Sequence, residues 1–174
     1  MRTPTVLSLL ICLTGSALAQ SQSPHDSQTI AVGPWTIATT FKAEKFDSCT
    51  MGRTAGELEV SFVRSNGGLL LLLDSPKWKL ERGKLYAVRL VEGSRSVDAK
   101  ASADSKSVTI ELADQTFNER LRMANVLQVQ GKGATLRVPL QGSAAAFRRL
   151  ESCFEKNSHE GTEENPFVAP SRSP

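Results

Sequence analysis

Residues 57–74 read ELEVSFVRSNGGLLLLLD, and this stretch decides the fold. From Leu58 to Phe62 apolar residues alternate with polar ones, which is typical of a β-strand with one buried face. The glycines and asparagine at 66–68 supply the positive φ angles that a tight hairpin turn needs. The five consecutive leucines at 69–73 predict a second strand that is covered on both faces. We therefore expect a hairpin whose second strand lies centrally in a sheet.

The rest of the chain repeats short strands separated by turn residues, which favours an all-β protein. Two stretches have helical rather than strand periodicity. The spacing of apolar residues predicts a short helix over 115–125. It also predicts a C-terminal helix that begins after Gly142, with Ser143 as its N-cap. We expect a mainly β fold, an antiparallel sandwich or open barrel of roughly eight strands that also carries these two helices. Segment 42–47 is predicted to be a charged loop. Further strands are predicted at 29–41, 49–53, 77–80, 85–91, 95–103, 107–112, 126–130 and 134–140.

The N-terminus has the features of a signal peptide. Arg2 gives a basic start, residues 6–13 form an apolar run, and small residues at 17–19 suit a cleavage site. The apolar run is shorter than the about 20 residues that a membrane-spanning helix needs. An uncleaved anchor is the alternative. We expect cleavage near Ala19 and a periplasmic or secreted chain without a transmembrane segment.

This interpretation divides the chain into four parts. Residues 1–19 are the signal peptide, and 20–28 form a polar leader that we expect to be disordered. Residues 29–157 form a single β-rich domain, and 158–174 form a proline-containing tail that we also expect to be disordered.

Cleavage removes Cys12 and leaves Cys49 and Cys153. Two cysteines in an oxidising compartment usually pair, so we predict a disulfide between them; two buried thiols are the alternative. Cys153 lies on the apolar stripe of the predicted C-terminal helix, with Phe147 and Leu150, where it faces the sheet.

The two histidines, His25 and His159, lie in the predicted leader and tail. The predicted domain therefore contains no imidazole, which argues against Ser-His-Asp and Cys-His catalysis and against most zinc sites. We predict no catalytic residue, no metal and no cofactor. The alternative is a hydrolase of an envelope polymer that uses carboxylates only. Its nearest candidate pairs are Glu57 with Glu59, and Glu111 with Asp114.

Basic residues cluster in sequence around two aromatic residues and suggest a patch for an anionic ligand. The alternative is ordinary solvated strand faces. The net charge of +3 is too small to indicate a nucleic-acid partner. We therefore expect an unknown protein or an anionic envelope polymer as the partner. The predicted patch consists of Lys77, Trp78, Lys79, Arg82, Lys84, Tyr86 and Arg89.

Several motifs resemble small exported proteins of alphaproteobacteria. They are Gly33-Pro34-Trp35, Cys49, the DSPKW stretch at 74–78 and the VPLQGSAAAF stretch at 138–147, followed by Leu150 and Cys153. The chain resembles the invasion-associated locus B family in its early tryptophan, its β-rich middle and its final helix. This resemblance implies a periplasmic or surface β-domain, with a host-contact role in some members. We predict a non-enzymatic, envelope-associated protein that acts as a binding or interaction module.

Overall fold

The computed structural model describes residues 29–158, which form ten strands and two helices. The elements are β1 Thr29–Val32, β2 Trp35–Lys42, β3 Lys45–Ala55, β4 Leu58–Ser65, β5 Gly68–Asp74, β6 Leu85–Glu92, β7 Arg95–Asp104, β8 Ser107–Glu111, α1 Gln115–Leu121, β9 Val126–Gln130, β10 Thr135–Pro139 and α2 Ser143–Ser158. The strands form one antiparallel sheet in the order β1-β2-β3-β4-β5-β8-β7-β6-β9-β10. The sheet is not closed, and the predicted fold class of a mainly antiparallel β protein with two helices is confirmed.

The hairpin predicted at 57–74 is confirmed as β4 and β5. The two strands pair from Glu59 with Asp74 to Ser65 with Gly68. β5 also pairs with β8 on its other side, so it lies within the sheet as expected. Its leucines alternate: Leu69, Leu71 and Leu73 are buried, while the two leucines between them are half-buried. One face of β5 is therefore fully covered and the other only in part.

The predicted loop at 42–47 is wrong. β2 and β3 continue through this segment and are joined by a turn at Ala43 and Glu44, both of which have positive φ angles of 48° and 64°. Such a turn usually contains Gly or Asn, so this pair of residues gives little signal in the sequence. As a result β3 begins at Lys45 and reaches eleven residues, more than twice the predicted length.

The strand predicted at 77–80 is also wrong. Residues 75–84 form an irregular loop that starts with a turn in which the Trp78 amide donates to the Ser75 carbonyl at 3.1 Å. The Leu80 amide then donates to the carbonyl of Ser105 at 2.7 Å. These bonds hold the loop against the turn between β7 and β8 without adding a strand to the sheet.

Helix α2 packs across β2, β3 and β4. Phe147 meets Phe62 with ring centroids 4.9 Å apart. The predicted disulfide is present: Cys49 on β3 and Cys153 on α2 are bonded, with Cα atoms 6.2 Å apart. The indole nitrogen of Trp35 donates to the Gln141 carbonyl at 3.1 Å. The middle of β3 is therefore tied to α2 itself, and the start of β2 is tied to the segment just before α2.

Both helices differ in detail from the prediction. α2 begins at Ser143, but the buried Ser143 hydroxyl has no hydrogen-bond partner among residues 29–158, so its predicted capping bond is absent. α1 is capped by Asp114, whose carboxylate accepts from the Phe117 amide at 2.8 Å, and it ends at Leu121, earlier than predicted.

No helix between Thr29 and Ser158 is both long and apolar enough to span a bilayer. The predicted signal peptide, the leader and the tail beyond Ser158 lie outside the described residues.

Candidate ligand-binding site

A cavity of about 490 Å³ opens between the start of β6 and the turn that joins β9 to β10. We call it the β6–β9 cavity. Its walls are mainly apolar, which is the usual character of a ligand site. The side chains that define it are Trp78, Leu80, Tyr86, Val88, Val129 and Leu136.

The cavity exists because β9 ends beside the middle of β6, so the first half of β6 has no partner on that side. They pair only from Arg89 with Gln130 to Val91 with Gln128, although β6 begins four residues earlier, at Leu85. β9 ends at Gln130, and the chain turns away in a tight turn in which the Gly131 amide donates to the Ala134 carbonyl at 2.8 Å. A gap thus remains beside the first half of β6.

The loop at 75–84 provides the aromatic wall of this gap. Trp78 is half-buried and packs against the core. Its position is set by the turn at Ser75, whose amide donates to the carbonyl of Lys106 at 2.9 Å. Because Ser75 and Leu80, on either side of Trp78, are both bonded to the β7–β8 turn, Trp78 is held in place without being part of a strand.

The structure brings together only part of the predicted anionic-ligand patch. Trp78 and Tyr86 both line the β6–β9 cavity, and the Lys84 ammonium lies 5.7 Å from the centre of the Tyr86 ring. Arg89 lies an odd number of residues from Tyr86 on β6, so the two side chains point to opposite faces of the sheet. The predicted residues therefore do not share one face.

Four of the five predicted patch cations are paired with acids at the protein surface. The Glu81 carboxylate accepts a hydrogen bond from Lys84, which raises the pKa of Lys84 and lowers that of Glu81. Arg89 likewise lowers the pKa of Asp98. Most of the positive charge is thus balanced locally. The pairs are Lys77–Glu57 at 2.5 Å, Arg82–Asp104 at 2.6 Å, Lys84–Glu81 at 2.7 Å and Arg89–Asp98 at 2.8 Å.

Two lysines near the cavity keep an unbalanced charge. Lys79 lies on the loop that carries Trp78, and Lys132 lines the cavity itself. Neither forms an ion pair with an acid in the described part of the chain. The site therefore combines an apolar interior with a weakly positive surrounding.

Several cavity residues escaped the sequence analysis. Residues 131–133 lie between the two strands predicted at 126–130 and 134–140, and neither this segment nor Leu136 was predicted to bind a ligand. Leu85, an apolar residue at the start of β6, also lines the cavity, and its exposure of 60% is visible only in the folded structure. The cavity depends on the pairing of β6 with β9, which are about forty residues apart, and no local pattern reports such a pairing.

A second cavity, of about 430 Å³, brings together one of the predicted carboxylate pairs. Glu111 and Asp114 both line it, with Asp98 and Lys100. Two of its acids are already engaged, since Asp114 caps α1 and Asp98 pairs with Arg89.

The other predicted pair, Glu57 with Glu59, is not in either cavity, and Glu57 binds Lys77. Between residues 29 and 158, no group of three or more His, Cys, Asp or Glu side chains is placed to hold a metal ion.

Comparisons with protein-family models, with curated proteins and with solved structures found no match for the chain. The geometry of residues 29–158 is therefore the main guide to function.

Proposed function

We propose that this protein is a non-enzymatic binding module of the cell envelope, and that the β6–β9 cavity holds an apolar group of its ligand. The observation that carries the proposal is the placement of Trp78 and Tyr86 on one apolar cavity of about 490 Å³. This volume lies within the range of about 300 to 1,000 Å³ that is usual for ligand sites.

The cavity offers enough apolar surface for measurable binding. A ligand group that buries about 100 Å² of apolar surface gains roughly 2.5 kcal/mol from its removal from water. The rings of Trp78 and Tyr86 add contacts with specific geometry. Lys132 and Lys79 favour a negative charge close to the apolar group of the ligand.

The disulfide supports an envelope location for this module. Disulfides persist in oxidising compartments such as the periplasm and the cell surface, and they are rare in the cytosol. The Cys49–Cys153 bond therefore agrees with the predicted signal peptide and with a periplasmic or surface address. The resemblance to the invasion-associated locus B family adds a host-contact role to this proposal.

Binding of an apolar anionic dye, 1-anilinonaphthalene-8-sulfonate, tests the proposal. We expect saturable binding with one site, and Trp78→Ser and Tyr86→Ser should each weaken it about tenfold, which corresponds to about 1.4 kcal/mol. Met123→Ser is the control, because Met123 is an apolar residue that is 78% exposed and does not line the cavity. Equal binding by all four proteins, or no saturable binding, would refute the proposal.

The carboxylate-only hydrolase is the second candidate, and the shared cavity of Glu111 and Asp114 is the observation that favours it. Its chemistry needs one carboxyl group as acid and the other as base or nucleophile. The hydrogen bond that the Asp114 carboxylate accepts from the Phe117 amide speaks against this use. Incubation with an isolated cell-wall fraction tests it: product release by the native protein that is lost in Glu111→Gln would establish the hydrolase.

A further inference from the structure

The geometry points to a ligand class for the β6–β9 cavity. We propose that the ligand is an extended polypeptide segment that adds to the sheet as a strand beside Leu85 and Ala87, with one apolar side chain in the cavity. This inference rests on the proposed binding function and specifies its ligand.

The first half of β6 has a strand on one side only. β6 pairs with β7 along its whole length, from Leu85 with Ser102 to Glu92 with Arg95. On its other side it pairs with β9 only from Arg89 onwards. Residues 85–88 therefore form a short open edge inside the sheet, and this edge borders the cavity.

The direction of the backbone groups along this edge follows from one hydrogen bond. The Ala103 amide donates to the Lys84 carbonyl at 2.9 Å, so this carbonyl points towards β7, whereas the Lys84 amide donates to the Glu81 carbonyl within the loop. Successive residues of a strand point their N–H and C=O groups to opposite sides, and those of Leu85 and Ala87 therefore point towards the gap. In the described chain no strand pairs with these two donors and two acceptors.

These four backbone groups select the class of ligand. An acyl chain would cover the apolar wall but would leave the N–H and C=O groups without partners, which is unfavourable when they lose water. An extended polypeptide pairs with all four groups and also fills the apolar space. Strand addition to an open sheet edge is an established way to bind peptides.

The side-chain pattern of the bound segment also follows. Tyr86 and Val88 line the cavity, and residues that lie opposite each other on paired strands point to the same face. The peptide residue opposite Tyr86 therefore enters the cavity and should be apolar. Its two neighbours pair with Leu85 and Ala87 and cannot be proline, because they must donate hydrogen bonds.

The charges near the edge complete the recognition pattern. Lys132 and Lys79 have no acidic partner among residues 29–158, as the ion pairs of this surface show. An acidic residue close to the apolar one would complement them. The expected segment is thus extended, free of proline at the paired positions, apolar at its centre and acidic at one end.

Selection from a random heptapeptide display library against the full chain tests this inference. We expect enriched peptides with the pattern just described, and we expect the Leu85 and Ala87 amide protons to gain protection from exchange when such a peptide binds. Ala87→Pro removes a donor that faces the gap while the β6–β7 hydrogen bonds remain, so peptide affinity should fall at least tenfold. Ala87→Val keeps that donor and should bind normally.

Modified peptides extend the test to the native protein, in case Ala87→Pro does not fold. N-methylation of the peptide amides that face β6 should reduce affinity at least tenfold, and N-methylation on the opposite edge should not. The inference is overturned if no peptide is enriched, if both methylated forms bind equally, or if binding leaves the two amides unprotected. It is also overturned if these amides are already protected in the full chain and lose protection when the chain ends at Ser158.

The dye titration separates the two levels of the proposal. If the dye binds and the peptides do not, the cavity binds a ligand of another class and only the peptide inference fails. If neither binds, the binding function fails as well.

Discussion

Removal of the disulfide between Cys49 and Cys153 should strongly destabilise the described domain. Cys49 and Cys153 are 104 residues apart, so the bond closes most of the domain into one loop. In the chain-entropy description, a loop of this length restricts the unfolded chain by about 16 cal/mol/K, or about 4.7 kcal/mol at 25 °C. Domains of this size have a total stability of about 5 to 15 kcal/mol, so the loss is a large fraction of it.

The change to make is the double substitution Cys49→Ala with Cys153→Ala, since a single substitution would leave a reactive thiol. Cys49 is fully buried, and its loss adds a small packing defect on β3. With a urea dependence of about 2 kcal/mol/M, the unfolding midpoint should fall by roughly 2 M.

Dithiothreitol provides the matched control. It should lower the unfolding midpoint of the native protein towards that of the double variant, and it should not affect the double variant. A native midpoint that is insensitive to the reductant, with both proteins unfolding at the same urea concentration, would refute the reasoning. So would peptide mapping under non-reducing conditions that finds both thiols free.

Three further predictions concern the described domain. Glu151→Gln should destabilise it by about 1 kcal/mol, because Glu151 on α2 accepts from Arg122 at 2.6 Å and from Arg64 at 3.4 Å; an unchanged urea midpoint would contradict this. Gly142→Ala should lower the free energy of unfolding by about 1 to 3 kcal/mol, because Gly142 has φ +76° and an added Cβ would lie 3.1 Å from the Pro34 Cδ atom. Gly133→Ala is the control: Gly133 has open space around it, so this variant should be nearly neutral in the same denaturation assay. Hydrogen bonds from Arg89 and Lys42 lower the pKa values of Asp98 and Asp47 in the folded state. The stabilisation from these two carboxylates is therefore present above the usual carboxyl pKa and is lost as the pH falls through the lower folded-state values. Asp98→Asn should reduce the acid-induced drop in melting temperature, and a pH profile identical to that of the native protein would contradict this.

The sequence predicted the parts of the fold that depend on local patterns. The β4–β5 hairpin has alternating residues and a glycine turn within one short stretch, so its register follows from nearby residues. The turn at Ala43 and Glu44 was missed because neither residue is a usual one for positive φ. At 77–80 the alternation of Trp78 and Leu80 suggested a strand, whereas the Leu80 amide is used by the β7–β8 turn.

The candidate site was predictable only in its aromatic residues. Trp78 and Tyr86 were in the predicted patch, and they do meet at the cavity. The acids that balance the nearby cations come from distant segments: Arg82 pairs with Asp104, which is twenty-two residues away. The open edge of β6 results from the different lengths of β6 and β9, two strands that become neighbours only in the folded sheet.

Photocrosslinking in intact cells tests the central claim most directly, namely that the β6–β9 cavity and its open edge form the binding site. Benzoylphenylalanine would replace Leu85, which is 60% exposed beside the cavity, or Met123, which is 78% exposed away from it. We predict a discrete protein adduct at position 85 that disappears when Ala87→Pro is added, and no such adduct at position 123. Adducts at 123 alone, or adducts at 85 that persist with Ala87→Pro, would contradict the account.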